Sequence, residues 1–105
     1  MIHHVVYFQL KAEVDKAAME DMVRTSRSLL LRIPEVLSVR SGRNLEPDSQ
    51  WQFFFAIEVD SREKLRAVLD DPFHLKLMEH TIKPRTNNSF ELDFELDPSK
   101  ALKYS

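Results

Sequence analysis

Hydrophobic positions along the chain switch repeatedly between a strand period and a helical one, and the switches mark its elements. Ile2 to Leu10 reads Ile-His-His-Val-Val-Tyr-Phe-Gln-Leu. Ile2, Val6, Phe8 and Leu10 fall on one side, with Val5 and Tyr7 on the other. Apolar residues on both alternating sets predict a strand covered on both faces. From Asp15 to Ile33 the period becomes helical: Ala18, Met22, Leu29 and Ile33 recur at spacings of three, four or seven. Asp15 is the expected N-cap, and Pro34 ends the helix.

Val36 to Arg43 alternates again, with a more polar second face at Ser38, Arg40 and Gly42. Asn44 to Gln50, holding Pro47-Asp48-Ser49, reads as a loop. Trp51 to Val59 predicts a second doubly covered strand, with Trp51, Phe53, Phe55, Ile57 and Val59 on one face and Phe54 and Ala56 on the other. Asp60-Ser61 caps a short helix to Leu69, and Pro72 opens another helical stretch to about Lys83. Ser89 to Leu96 alternates strictly. Phe90, Leu92, Phe94 and Leu96 oppose Ser89, Glu91, Asp93 and Glu95, which read as a solvated acidic face. Residues 97–105 read as a loose tail.

The order β-α-β-β-α-β is the ferredoxin-like split pattern, an α+β fold with a four-stranded antiparallel sheet. Helices on one face leave the other sheet face bare. Three strands carry apolar residues on both sides, so that face needs a cover, and a second copy of the same sheet is the simplest one. A homodimer through the open face is therefore expected, with the whole chain, 1–105, forming one domain around a core of residues 2–96.

Composition narrows the function classes. At 105 residues, such a domain buries roughly 60–68% of its unfolded surface, and any ligand cavity comes out of that limited core. A net charge of −2 and a pI near 6.1, with no basic stripe, argue against nucleic acid as a partner. No cysteine is present, which removes disulfides, thiol nucleophiles and Cys-type zinc sites. The single glycine, Gly42, excludes Gly-rich phosphate loops. No apolar run approaches the ~20 residues of a membrane span, and no signal-peptide layout opens the chain. The expectation is a cytoplasmic protein with no membrane partner.

Candidate chemistry centres on Asp71-Pro72-Phe73-His74. Pro72 starts a helix there and places His74 in its first turn, where unpaired N–H groups and partial positive charge keep an imidazole neutral. Neutral imidazole near pH 7 is a ready general base; the competing role for His74 is structural, as a helix-opening residue packed in the core. His4 shares a face with Val6 and Phe8 and is a candidate donor, as is the hydroxyl of Tyr7. Phe53, Phe55 and the neighbouring Trp51 suit an apolar pocket or a packed seam, and Arg40 suits an anionic ligand or a carboxylate of a second subunit. His80 lies roughly 120° around the helix from His74, so those two cannot share a metal. No set of ligands has metal spacing, and no metal or cofactor is expected.

The opening strand Ile2–Lys11, the Ile33-Pro34-Glu35-Val36 link followed by Gly42-Arg43-Asn44, the Asp71-Pro72-Phe73-His74 helix opening and its Ile82-Lys83-Pro84 close together resemble the stress-responsive A/B-barrel (Dabb) domain family of dimeric α+β barrels. The resemblance covers residues 2–96. It implies a homodimer whose two sheets form a barrel, with a cavity between sheet and helices in each subunit. It places the base of the family's polyketide cyclases at His74 and a second pocket histidine at His4. Their tyrosine partner falls on Val68, and a third histidine falls on Phe53. Candidate cavity-lining residues for an apolar or aromatic small molecule are therefore Phe8, Phe53, Phe55, Val68, Met78 and Arg40. Two functions follow: a binding protein of undefined biochemical role, or a cofactor-independent cyclase, isomerase or monooxygenase acting on an activated carbonyl through His74.

Overall fold

The computed structural model describes residues 1–97, so the expected tail lies, apart from Asp97, outside the described residues. The elements are β1 (Ile2–Leu10), α1 (Lys16–Leu30), β2 (Ser38–Arg43), β3 (Phe53–Val59), α2 (Arg62–Asp70), α3 (Pro72–Leu77) and β4 (Thr86–Glu95). A π-helical turn, Met78–Ile82, and a 3-10 turn, Lys83–Arg85, connect α3 to β4. The four strands form one antiparallel sheet in the order β2-β3-β1-β4, the ferredoxin-like order.

Directly opposed residues of antiparallel strands project to the same face, so the register assigns both faces. His4 stands between Ile57 and Asp93, and Val6 between Phe55 and Glu91. The even-numbered side chains of β1 therefore share the helix-covered face with Phe53, Phe55, Ile57 and Val59. Val5 stands between Ala56 and Leu92, and Tyr7 between Phe54 and Phe90. Those residues lie on the face with no helix.

The core is closed between sheet and helices. Val6, Phe8, Phe53, Phe55, Ile57 and Val59 meet Met22, Leu29 and Leu30 of α1, Leu65 and Val68 of α2 and Leu77 of α3, all buried. Burying a side chain of this size stabilises by about 1.5–3 kcal/mol, which is why the helices lie on this face and not the other.

Local chemistry sets the boundaries. Asp15 caps α1, its carboxylate accepting from the Ala18 N–H at 2.8 Å. α1 ends at Leu30, three residues before the expected Ile33, because Pro34 disfavours helical backbone at the residue before it. The Arg32 and Ile33 amides turn back onto the Leu29 and Leu30 carbonyls, both at 3.2 Å, which tightens the last turn. Ser61 caps α2 by accepting from the Lys64 N–H. Asp71, with ψ at 139°, both ends α2 and begins α3, and its carboxylate accepts from the Phe73 N–H at 2.8 Å. The expected continuous helix to Lys83 is α-helical only to Leu77; it then widens into the π turn that buries Thr81 and Ile82 together.

Away from the site, the Asp21 carboxylate of α1 accepts from Arg85 at 2.8 Å and ties α1 to the turn that launches β4. That guanidinium holds the Asp21 carboxyl below the usual carboxylate range. None of the described helices is long and apolar enough to cross a membrane.

Candidate functional site

β1 brings His4 to the inner face of the sheet, where its imidazole is only 2% exposed. A buried polar ring needs partners, and β4 supplies them from directly across and one pair along. The His4 Nδ1–H donates to Asp93 Oδ1 at 2.5 Å, since a carboxylate can only accept. His4 Nε2 lies 3.8 Å from Glu91 Oε2. Both carboxylates reach solvent, Asp93 at 48% exposure and Glu91 at 60%, so the pair connects a buried ring to the solvent edge of the sheet.

His74 comes from the other layer. It is the third residue of α3, and its Nδ1–H donates to the Leu69 carbonyl of α2 at 3.1 Å. This bond staples the α2–α3 corner across Asp71. It also commits one ring nitrogen and leaves Nε2 without a proton in the neutral form. Burial of the ring is the chief cause of a pKa lowered from the ordinary histidine value. The neighbouring His4 pushes the same way, whereas the Leu69 carbonyl, Asp71 and Glu91 push it back up.

A groove of about 360 Å³ lies between α2 and β4; Asp93 of this cluster lines it, and neither imidazole does. Leu65 and Leu69 of α2 form one wall and Asp93, Phe94 and Glu95 of β4 the other, with Arg62 and Arg66 at the rim. Leu69 is the residue whose carbonyl holds His74, and Asp93 is the one that holds His4.

The remaining candidates separate. Tyr7 cannot act beside His4, because it lies on the open face, stacked on Phe90 with ring centroids 4.9 Å apart; the strand period puts positions 4 and 7 on opposite sides. Phe8, Phe53, Phe55 and Val68 are members of the closed core. Met78 is partly buried against that core. Arg40 is exposed, on the open face opposite Ala56. Asp93 and Glu91 correct the solvated-face reading of β4: they face His4, 89 residues away in sequence from Asp93. Among the described residues no group of three His, Asp or Glu side chains is arranged to hold a metal ion.

The model of the stress responsive A/B barrel domain matches residues 2–96. This chain belongs to that family. Solved structures share the fold at low identity. A Dabb family protein with a ferredoxin-like fold from Mesorhizobium loti is 21% identical with a TM-score of 0.78, over 90% of this chain and 95% of its own. A dimeric ferredoxin-like protein of unknown function from Thermobifida fusca is 23% identical with a TM-score of 0.80, over 90% of each chain. A hydroxynitrile lyase from Passiflora edulis is 14% identical with a TM-score of 0.78, over 92% of this chain and 94% of its own. No curated protein matches this A/B barrel domain in sequence.

Proposed function

We propose that this A/B barrel domain is a single-domain, cytoplasmic homodimer, joined through its open sheet faces, that holds a small carbonyl compound with an apolar or aromatic body in the groove beside His4 and Asp93. His74, bonded to the carbonyl of the groove-lining Leu69, serves as general base. The observation that carries this reading is the state of His74, a half-buried imidazole with Nδ1–H committed to the Leu69 carbonyl and Nε2 left to accept a proton. A base of that kind removes a proton from carbon next to a carbonyl. His4, anchored by Asp93, serves as the candidate donor. The Passiflora hydroxynitrile lyase supports the scaffold as one that enzymes use, by analogy of fold alone.

Support for the dimer comes from the open face. Phe90, Leu92 and Phe94 of β4 are 37%, 42% and 50% exposed, and they continue an aromatic patch in which Trp51 meets Phe90 edge-on at 4.5 Å and Tyr7 stacks on it. A contiguous apolar face of this kind marks an interaction surface, and the Thermobifida relative is dimeric.

A second reading, a binding module without turnover, is favoured by Val68, a buried aliphatic residue where the family's cyclases place a tyrosine. Deuterium incorporation separates the two. Aromatic methyl ketones and β-keto thioesters are incubated with the protein in D₂O and followed by NMR. Exchange next to the carbonyl that is lost in His74→Gln supports the base. Ligand-induced stabilisation without exchange leaves the binding module.

A further inference from the structure

A second groove lies on the far flank of the helix layer, between α1 and the edge strand β2. It has a volume of about 540 Å³. Its floor is apolar, formed by Met19 and Val23 of α1 with Leu31 at the helix end, and its rim carries Arg24, Arg27 and Arg43 against one acid, Glu20. Leu31 is 61% exposed. A neighbouring hollow of about 500 Å³ shares Met19, Glu20 and Arg43 and adds Lys16 at the other end. From Lys16 to Leu31 the channel follows α1 for roughly 22 Å at 1.5 Å per residue.

The wall between α1 and β2 is built firmly. Ser26 and Ser41 both donate to the Val23 carbonyl, at 2.9 and 3.0 Å. Arg27 Nη2 donates to the Ser41 carbonyl at 3.2 Å. That contact caps the outward edge of β2 and blunts it against an added strand, so a small molecule fits this groove better than an extended peptide. Among the described residues Arg24 pairs with the partly exposed Asp21 alone, at 3.5 Å, a contact worth little in water. Arg43 has no hydrogen bond or ion pair among the described residues.

We infer that the α1–β2 groove is a binding site for a single-chain amphiphile with an anionic head group, a carboxylate or phosphate on an alkyl chain. The chain lies over Met19, Val23 and Leu31, and the head group meets Arg43 and Arg24. This site is separate from the His4–Asp93 groove, being walled by α1 and β2 where that one is walled by α2 and β4.

The test is titration of the full-length protein with dodecyl phosphate and dodecanoate, below their micelle-forming concentrations, by calorimetry and by amide NMR shifts. Dodecyltrimethylammonium and a neutral dodecyl glycoside serve as charge controls. The expected result is saturable binding of both anions at least ~10-fold tighter than either control, as for hydrogen bonds to charged groups, with shifts confined to α1 and β2. The Arg24→Gln/Arg43→Gln double variant is expected to bind dodecyl phosphate ~10-fold more weakly, with an unchanged melting temperature. Equal affinity for all four probes overturns the inference, as do shifts that map elsewhere or a double variant that binds normally. Binding to anionic phospholipid vesicles but not to monomeric dodecyl phosphate also overturns it, in favour of a membrane surface.

Discussion

Asp93→Ala removes the acceptor that holds the most deeply buried ionisable ring in the described structure. The His4 imidazole is 2% exposed and donates to Asp93 at 2.5 Å. Stranding a buried donor costs about 1–3 kcal/mol. Asp93 is itself 48% exposed, so water can enter where the carboxylate stood, and the lower part of that range, about 1–2 kcal/mol, applies. For a domain of this size each kcal/mol lowers the melting temperature by about 4–8 °C. Asp93→Ala is thus expected to melt roughly 4–16 °C below the parent. Asp93→Asn keeps one acceptor oxygen and should lose less than half of that. Glu95→Ala is the internal control, on the same strand face but with an exposed carboxylate that bonds none of the described residues; its effect should stay within about 0.5 kcal/mol. Thermal unfolding is compared at equal protomer concentration, because dimerisation would make the midpoint concentration-dependent. If Asp93→Ala and Glu95→Ala melt together, the acidic face of β4 is merely solvated and the His4–Asp93 bond has no part in the fold.

Two further outcomes follow from the same geometry. Burial lowers the His74 pKa, so the unfolded chain takes up this proton more readily than the folded one. Stability should fall as pH drops through about 6.5, the unfolded value, toward the folded value, with no contribution above that window. His74→Gln should flatten the slope between pH 7 and 5 in urea titrations, and an unchanged slope would contradict the assignment. On the open face, Leu92→Asp or Phe94→Arg should convert a particle of twice the 12.4 kDa chain mass into monomer in light scattering, without unfolding it. A parent protein that runs as monomer at micromolar concentration would remove the sheet-to-sheet dimer.

Periodicity reached the fold because most buried positions of each strand and helix are apolar, with His4, Ser26 and Ser41 as polar interruptions. The ends of β1 and the Asp15 and Ser61 caps are visible in the residues themselves. The winding change at Met78 is not: His74, Leu75, Met78 and Ile82 satisfy a helical stripe whether the turn holds 3.6 residues or more. Tyr7 is a miss with a signal already present, since a strand period of two separates it from His4. Asp93 had no local signal. Its alternation with Phe94 is the same in a solvated strand as in one that reaches a buried ring, and only the β1–β4 register, His4 opposite Asp93, distinguishes them. His74 was legible because Asp71 and Pro72 mark a helix start. Its bond to Leu69 depends on the corner between α2 and α3, a tertiary feature.

The most direct test is the tautomer of His74. Nitrogen-15 NMR of the imidazole at pH 7.5 should show Nδ1 protonated and Nε2 bare, the form in which Nδ1–H is held by the Leu69 carbonyl and Nε2 can take a proton from a substrate. A ring protonated at Nε2 would mean that the Leu69 bond is absent and that Nε2 cannot serve as the base.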